Sequence, residues 1–296
     1  MGGSNWDSDN YRAYSKVAQT QTREQVYKSS KIDEYLDPAK IQFRESRDSD
    51  ANPLSTPIII GLDVTGSMGF IAEAIAKKHL GCLVESILQR KPITDPHLMF
   101  MGIGDAVAHD RAPLQVTQFE ADTTIVDQLT RIWLEGNGGG NHFESYDLPW
   151  AFAAHKTQHD CWDKRNKKGY LFTIGDELFP KESSESFFKA NISKVLPQKF
   201  TPVSLLADAS ERYHVFHIII NEGSYASRNK NHVLNSWREK LGWRALPLDN
   251  YNNLVETIVT AIDVSEGTDI DDAIASWGDD HIAKTLEKTF QLQTRQ

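Results

Sequence analysis

Cysteine is scarce in this 296-residue sequence: Cys82 and Cys161 are the only two, and they lie far apart. That excludes a disulfide-stapled scaffold and fits two free thiols in a reducing compartment. Long apolar runs are also missing, so no segment is expected to span a bilayer. The first residues, Met1-Gly2-Gly3-Ser4-Asn5-Trp6-Asp7, lack the basic start and apolar stretch of a secretory signal. Trp6 also stands where N-myristoylation of Gly2 requires Ser or Thr. A cytoplasmic location is the expectation. Basic residues are outnumbered, with a net charge of −9, which argues against a general nucleic-acid binder. What is present is enough for a packed core: 40% hydrophobic and 25% charged residues.

The chain divides by composition into three parts. Residues 1–56 are polar and rich in Ser, Gln, Asp and Arg, and read as an extension that docks on the main domain or stays mobile. Within it, 44–53 reads as a linker. Residues 57–265 alternate apolar strands with amphipathic helices. Strands are expected at 58–63, 98–103, 114–119, 169–174, 215–220 and 243–248. Helices are expected at 70–89, 124–133, 148–159, 183–196, 202–213, 226–240 and 252–264. Such alternation implies a doubly wound α/β domain: six strands, mainly parallel, one antiparallel edge strand in the 98–119 hairpin, and helices on both faces. Residues 266–296 read as a helical extension whose Asp269, Asp271 and Asp272 favour a helix start.

Chemistry concentrates at strand ends. The run Ile58-Ile59-Ile60-Gly61-Leu62 leads into Asp63-Val64-Thr65-Gly66-Ser67. Asp63, Thr65 and Ser67 bring three oxygens to one turn, and such ligands suit a hard divalent cation such as Mg²⁺. Ser67 alone could be a helix N-cap, but that leaves Asp63 and Thr65 unexplained. A second loop, 135–145, is glycine-rich and offers Asn141, Glu144 and Ser145. It has no Lys-Ser or Lys-Thr after its glycines, which excludes a P-loop. A third loop follows the strand at 169–174 and carries Asp176. Asp105, after the strand at 98–103, is a further acid near the same sheet end. In open α/β sheets ligands bind at this end.

The Asp63-Val64-Thr65-Gly66-Ser67 motif resembles the first metal motif of von Willebrand factor A domains, Asp-x-Ser-x-Ser, with Thr in place of the first Ser. The resemblance covers roughly residues 57–264. It implies a Rossmann-like fold and a metal-ion-dependent adhesion site holding Mg²⁺, or Mn²⁺ or Ca²⁺. The implied ligands are Asp63, Thr65, Ser67 and Asp176, with Asn141 or Glu144 from the middle loop and Asp105 and Ser145 behind them. It implies binding, not catalysis: the cation engages an Asp or Glu of a protein partner. In bacterial intracellular members such partners include ATPases and assembly factors. Two departures stand out. The family's Gly-Gly-Thr is replaced by glycines followed by Asn141, and its Asp-Gly appears here as Gly175-Asp176.

A rival resemblance is to aspartyl-phosphate phosphotransferases of the haloacid dehalogenase type, with Asp63 as nucleophile on Mg²⁺-bound phosphate. Against it, Val64 stands where Asp-Lys-Thr-Gly-Thr has Lys, and no second acid follows four residues after Asp176. His155, His159 and Cys161 are spaced for zinc on a helix face, but no fourth ligand is placed and Lys156 and Lys164 stand nearby. His214 and His217 read as ordinary sheet residues. Trp133, Trp150, Trp162, Trp237 and Trp243 read as packing residues.

Overall fold

The computed structural model describes residues 6, 8–66, 68–108, 110–136 and 141–290. Its strands are β1 Arg44–Ser46, β2 Thr56–Asp63, β3 Pro96–Ile103, β4 Leu114–Val116, β5 Thr157–His159, β6 Gly169–Gly175, β7 Tyr213–Ile220 and β8 Ala245–Leu248. Its α-helices are α1 Ser8–Gln19, α2 Arg23–Val26, α3 Gly69–Ala74, α4 Leu80–Arg90, α5 Thr124–Thr130, α6 Asp147–Lys156 and α7 Asp160–Asp163. They continue with α8 Glu185–Asn191, α9 Pro202–Arg212, α10 Ala226–Leu241, α11 Leu254–Ser265, α12 Ile270–Ala275 and α13 Asp280–Phe290.

Six strands form one sheet in the order β4-β3-β2-β6-β7-β8. All neighbours are parallel except β4, which pairs antiparallel with β3 at one edge. The six-stranded, mostly parallel sheet expected from the alternating pattern is therefore present. Side chains of β2 explain why its run is apolar throughout. Ile58, Ile60 and Leu62 enter one core cluster, while Ile59 enters another. The first cluster takes in α4 and α11 through Val84, Ile87, Ile258 and Ile262. The second takes in α6, α9 and α10 through Trp150, Leu205 and Trp237. A strand covered on both faces has no polar side to show.

Strand order reverses between β2 and β6. From β2 the chain passes outward to β3 and β4; it then returns to β6 and proceeds the other way to β7 and β8. The loops leaving β2 and β6 therefore diverge, and their carboxyl ends are where open α/β sheets place a ligand.

Several expectations need correction. Residues 44–53 are no linker. Their first three residues form β1, which pairs in parallel with β5. Arg47 then ties this strand to α7 through Asp160 at 2.9 Å and Asp163 at 2.8 Å. The helix expected over 148–159 stops at Lys156, because Thr157–His159 pairs with β1 instead. His155 and His159 consequently do not share a helix face, which removes the geometry of the zinc reading. The rod expected over 70–89 is interrupted by a π-helical stretch, Ile75–His79, between α3 and α4. Trp243 is partly exposed, unlike the fully buried Trp150 and Trp237. Asp269 does start a helix: it caps α12 by accepting from Asp271 N.

The described residues of both terminal segments are docked. In the N-terminal part, Trp6 Nε1 donates to Pro96 O at 2.7 Å. Tyr27 Oη donates to Ala72 O at 2.8 Å. Leu36 is fully buried, and its carbonyl accepts from Val116 N of β4. In the C-terminal part, Leu286 and Phe290 of α13 join the first cluster, and Thr289 Oγ1 donates to Pro247 O of β8. Cys82 is exposed and Cys161 buried, and both are free. No helix among the described residues is long and apolar enough to cross a membrane.

Because Leu36 belongs to the common core, Leu36→Ala is expected to cost about 2–4 kcal/mol in urea unfolding. A loss below about 0.5 kcal/mol, the level of an ordinary surface change, would mean that the N-terminal segment is only loosely attached.

Candidate metal site at the β2/β6 switch point

Asp63 ends β2 and Asp176 follows the last residue of β6, so the two acids flank the switch point. Both are fully buried. Asp63 Oδ1 accepts from Thr65 N at 2.9 Å and from Thr65 Oγ1 at 2.6 Å. This local turn is what an Asp followed two residues later by a hydroxyl residue favours. Asp63 Oδ2 accepts from Tyr146 Oη at 3.0 Å. Asp176 Oδ2 accepts from Tyr225 N at 2.8 Å. Ser67 and Gly138–Gly140 lie outside the described residues.

Two glycines make this packing feasible. A Cβ at Gly175 would stand 2.0 Å from Tyr146 Oη, and one at Gly223 would stand 2.2 Å from Asp176 Cβ. Any larger residue at Gly175 would push the phenol off Asp63.

The middle loop divides its candidates. Glu144 is buried, and its Oε2 has no hydrogen-bond partner among the described residues. Asn141 Nδ2 donates to Asp105 Oδ2 at 2.6 Å, and Asn141 Oδ1, the atom a metal would take, accepts from Phe143 N at 3.5 Å. Asp105 is itself buried and folds its own turn by accepting from Val107 N and Ala108 N. Ser145 Oγ accepts from Ala106 N at 3.0 Å. Asn141, Asp105 and Ser145 therefore brace the loops around the pocket. Glu144 is the middle-loop group left with an unsatisfied oxygen.

The electrostatics of the pocket are one-sided. Burial raises the pKa of Asp63, and Asp176 raises it further, while hydrogen bonds from Thr65 and Tyr146 oppose the rise. Burial also raises Glu144, and after it the charges of Asp63, Glu177, Asp105 and Asp110 push in the same direction. Glu177 is pushed up to about 8 by burial, then by Asp63, Asp176 and Asp105. Its Oε2 is likewise buried without a partner among the described residues. Tyr146 sits amid these acids, and burial with their charge keeps its phenol protonated, so it donates to Asp63.

Tyr146, Glu177 and Gly223 were not singled out by sequence reasoning. Glu177 directly follows Asp176 and could have been paired with it. Tyr146 carries no motif, because its role depends on the turn before α6 bringing its phenol against Gly175 at the end of β6. Behind it, His217 stacks on Trp237 with ring centroids 3.4 Å apart and meets Tyr146 edge-on. Burial lowers the His217 pKa well below its usual value, so the imidazole is neutral and adds no cation to the pocket.

Among the described residues, no three His, Cys, Asp or Glu side chains gather closely enough to hold one ion. A cation here would rest on at most two carboxylates, supplemented by hydroxyl and water oxygens. That donor set suits Mg²⁺, which retains waters and needs few protein carboxylates. Thr65 fits it: the hydroxyl gives its proton to Asp63, leaving its lone pairs for a metal.

No family model matches the sequence, and no curated protein matches it. Among solved structures, the chain is similar to the pilus adhesin SpaC from Lactobacillus rhamnosus GG in its open conformation. The TM-score is 0.43 at 9% identity, over 77% of this chain and 31% of the adhesin. A second crystal structure of that adhesin gives 0.42 at 10% identity, over 77% and 32%. The chain thus spans about a third of the adhesin's length.

A carboxyl whose folded-state pKa is raised binds more protons folded than unfolded. The stability it contributes is complete below its ordinary value near 4.5 and is lost as pH rises through the folded value, about 8 for Glu177. In EDTA, the unfolding free energy is expected to fall between pH 5 and 8. The Glu177 share is on the order of 1 kcal/mol after solvent screening. Glu177→Gln should flatten the slope. A wild-type profile that is flat or rises with pH would show that the acids are compensated.

Proposed function

We propose that this chain is a divalent-metal-dependent protein-binding module: a doubly wound, Rossmann-like domain of the von Willebrand factor A type with a variant adhesion site. One observation carries the reading. Two strand-end carboxylates, Asp63 and Asp176, flank the switch point inside a buried, cation-poor pocket where Glu144 and Glu177 each have an unsatisfied oxygen. Buried charge without a partner is costly, and a divalent cation offsets it.

Asp63, Thr65 and Asp176 would hold the ion, with Ser67 completing the first loop and Glu144, in place of the missing Thr of the middle loop, acting through water and not as a third carboxylate ligand. Once bound, Mg²⁺ supplies concentrated positive charge that attracts an anionic group. Tyr146 and Thr65 orient Asp63, and Gly175 and Gly223 allow Tyr146 and Asp176 to close in. Glu144 adds charge to the site. It should tighten the hold on the cation and weaken the pull on a partner's Asp or Glu. Mn²⁺ or Ca²⁺ would satisfy the same oxygens. The resemblance points to an ATPase or assembly factor as the partner, and the free cysteines fit a cytoplasmic setting. Nothing in the charge balance favours nucleic acid.

A nucleophilic Asp63 is less well supported. Both of its oxygens accept hydrogen bonds, and its side chain is fully buried.

The test is thermal unfolding with and without Mg²⁺. At a hundredfold excess over Kd, a bound ion adds about 2.7 kcal/mol, a shift of roughly 5 °C or more for a domain of this size. Asp63→Asn should abolish the shift, Thr65→Ala should reduce it and Thr65→Ser should keep it. If none of Mg²⁺, Mn²⁺ and Ca²⁺ shifts the wild type, the metal reading fails. Turnover of a phosphate ester that Asp63→Asn eliminates would favour the phosphotransferase instead.

A further inference from the structure

A cleft of about 390 Å³ opens beside Thr65 and Gly66. One wall comes from the metal loop and the start of α3; the other comes from α2 and the residues after it, in the N-terminal segment. This second wall is fixed. Thr22 and Gln25 form a reciprocal cap on α2. Tyr27 is buried and bonded to Ala72 O, and Ser29 Oγ donates to Arg131 O at 2.8 Å. A rigid wall beside a binding loop costs little entropy when a ligand arrives.

Arg23 lines this cleft. A Cβ added at Gly69 would lie 2.9 Å from Arg23 Nη1, so the guanidinium lies over the start of α3, with Glu24 beside it in the cleft lining. Among the described residues its ion pair is with Glu24 at 3.8 Å, between side chains 44% and 75% exposed, which is too long and too wet to saturate it. Five donors in a planar fork are thus presented beside the Asp63–Thr65 loop, a geometry that matches a carboxylate.

We propose that Arg23 is a second anchoring point for the partner. The cleft receives an acidic segment bearing two carboxylates, one on the cation at the metal loop and one on the Arg23 guanidinium. The proposal rests on the cation reading above. It makes the N-terminal segment part of the recognition surface and compensates for the attraction that Glu144 removes from the metal. The two-point requirement also sets specificity, because a segment with a single acid gains only half of the contact.

The experiment uses the full chain and two synthetic peptides, Gly-Glu-Gly-Glu-Gly and Gly-Glu-Gly-Gln-Gly, titrated with and without Mg²⁺. Binding of Mg²⁺ alone is measured by calorimetry. The diacidic peptide should bind in Mg²⁺ roughly tenfold more tightly than the monoacidic one, the factor expected of one partly exposed charge-assisted pair. Arg23→Ala should erase that difference and Arg23→Glu should invert it, with Mg²⁺ binding unchanged in both. Arg23→Lys should retain part of it. If Mg²⁺ does not bind the wild type, the underlying cation reading fails. If Mg²⁺ binds but neither peptide does, the adhesion reading is overturned with the Arg23 proposal; if the peptides bind but Arg23→Ala leaves the preference intact, the Arg23 proposal alone is overturned.

Discussion

Mutual repulsion among buried acids is the constraint around which this molecule is organised. Asp63, Asp105, Glu144, Asp176 and Glu177 reach one another electrostatically, and the charges that raise Glu144 and Glu177 are all negative. A fold would not normally place such groups together. The sheet does so because its order reverses between β2 and β6, and parallel strands deliver their end residues to the same side. What keeps the arrangement intact is neutral hydrogen bonding: Thr65 and Tyr146 on Asp63, Tyr225 N on Asp176, and Asn141 on Asp105. These donors soften the repulsion without cancelling it, which leaves the pocket receptive to positive charge.

The parts of this arrangement visible in the sequence were those with local causes. An apolar β-branched run ending in Asp63 could hardly be anything but a covered strand with a carboxylate at its tip. The alternation of such runs with helical stretches gave the sheet and its antiparallel edge. The pairing of Asp63 with Asp176 followed from the general rule for ligands in open sheets. Less visible was everything requiring a long-range partner. β1 and β5 are three residues each, and each exists only because the other lies beside it. Their residues, in isolation, carry turn and helix signals. Tyr146 and Gly223 likewise act through contacts with residues 83 and 47 positions away in the chain. No local pattern could reveal them.

The middle loop separates what position implies from what contacts allow. Asn141, Glu144 and Ser145 are near-equivalent oxygen donors when read from the sequence. In the folded chain Asn141 and Ser145 are spent on neighbouring turns, whereas Glu144 is buried with an oxygen to spare. Substituting an acid for a neutral hydroxyl changes the balance of the pocket. On the metal reading proposed above, it would shift the site from one that presents its ion strongly to a partner towards one that retains it.

The terminal segments carry a consequence of a different kind. At one border of the sheet, β4 gives its Val116 N–H to the carbonyl of Leu36, and at the other, β8 has its Pro247 carbonyl covered by Thr289 of α13. Open sheet borders are templates on which further strands from other chains can add. The residues before 57 and after 265 thus act as chaperoning flaps for the sheet. A fragment trimmed to the central α/β region would keep its acids and its switch point, yet expose two hydrogen-bonding rims and become prone to self-assembly into aggregates.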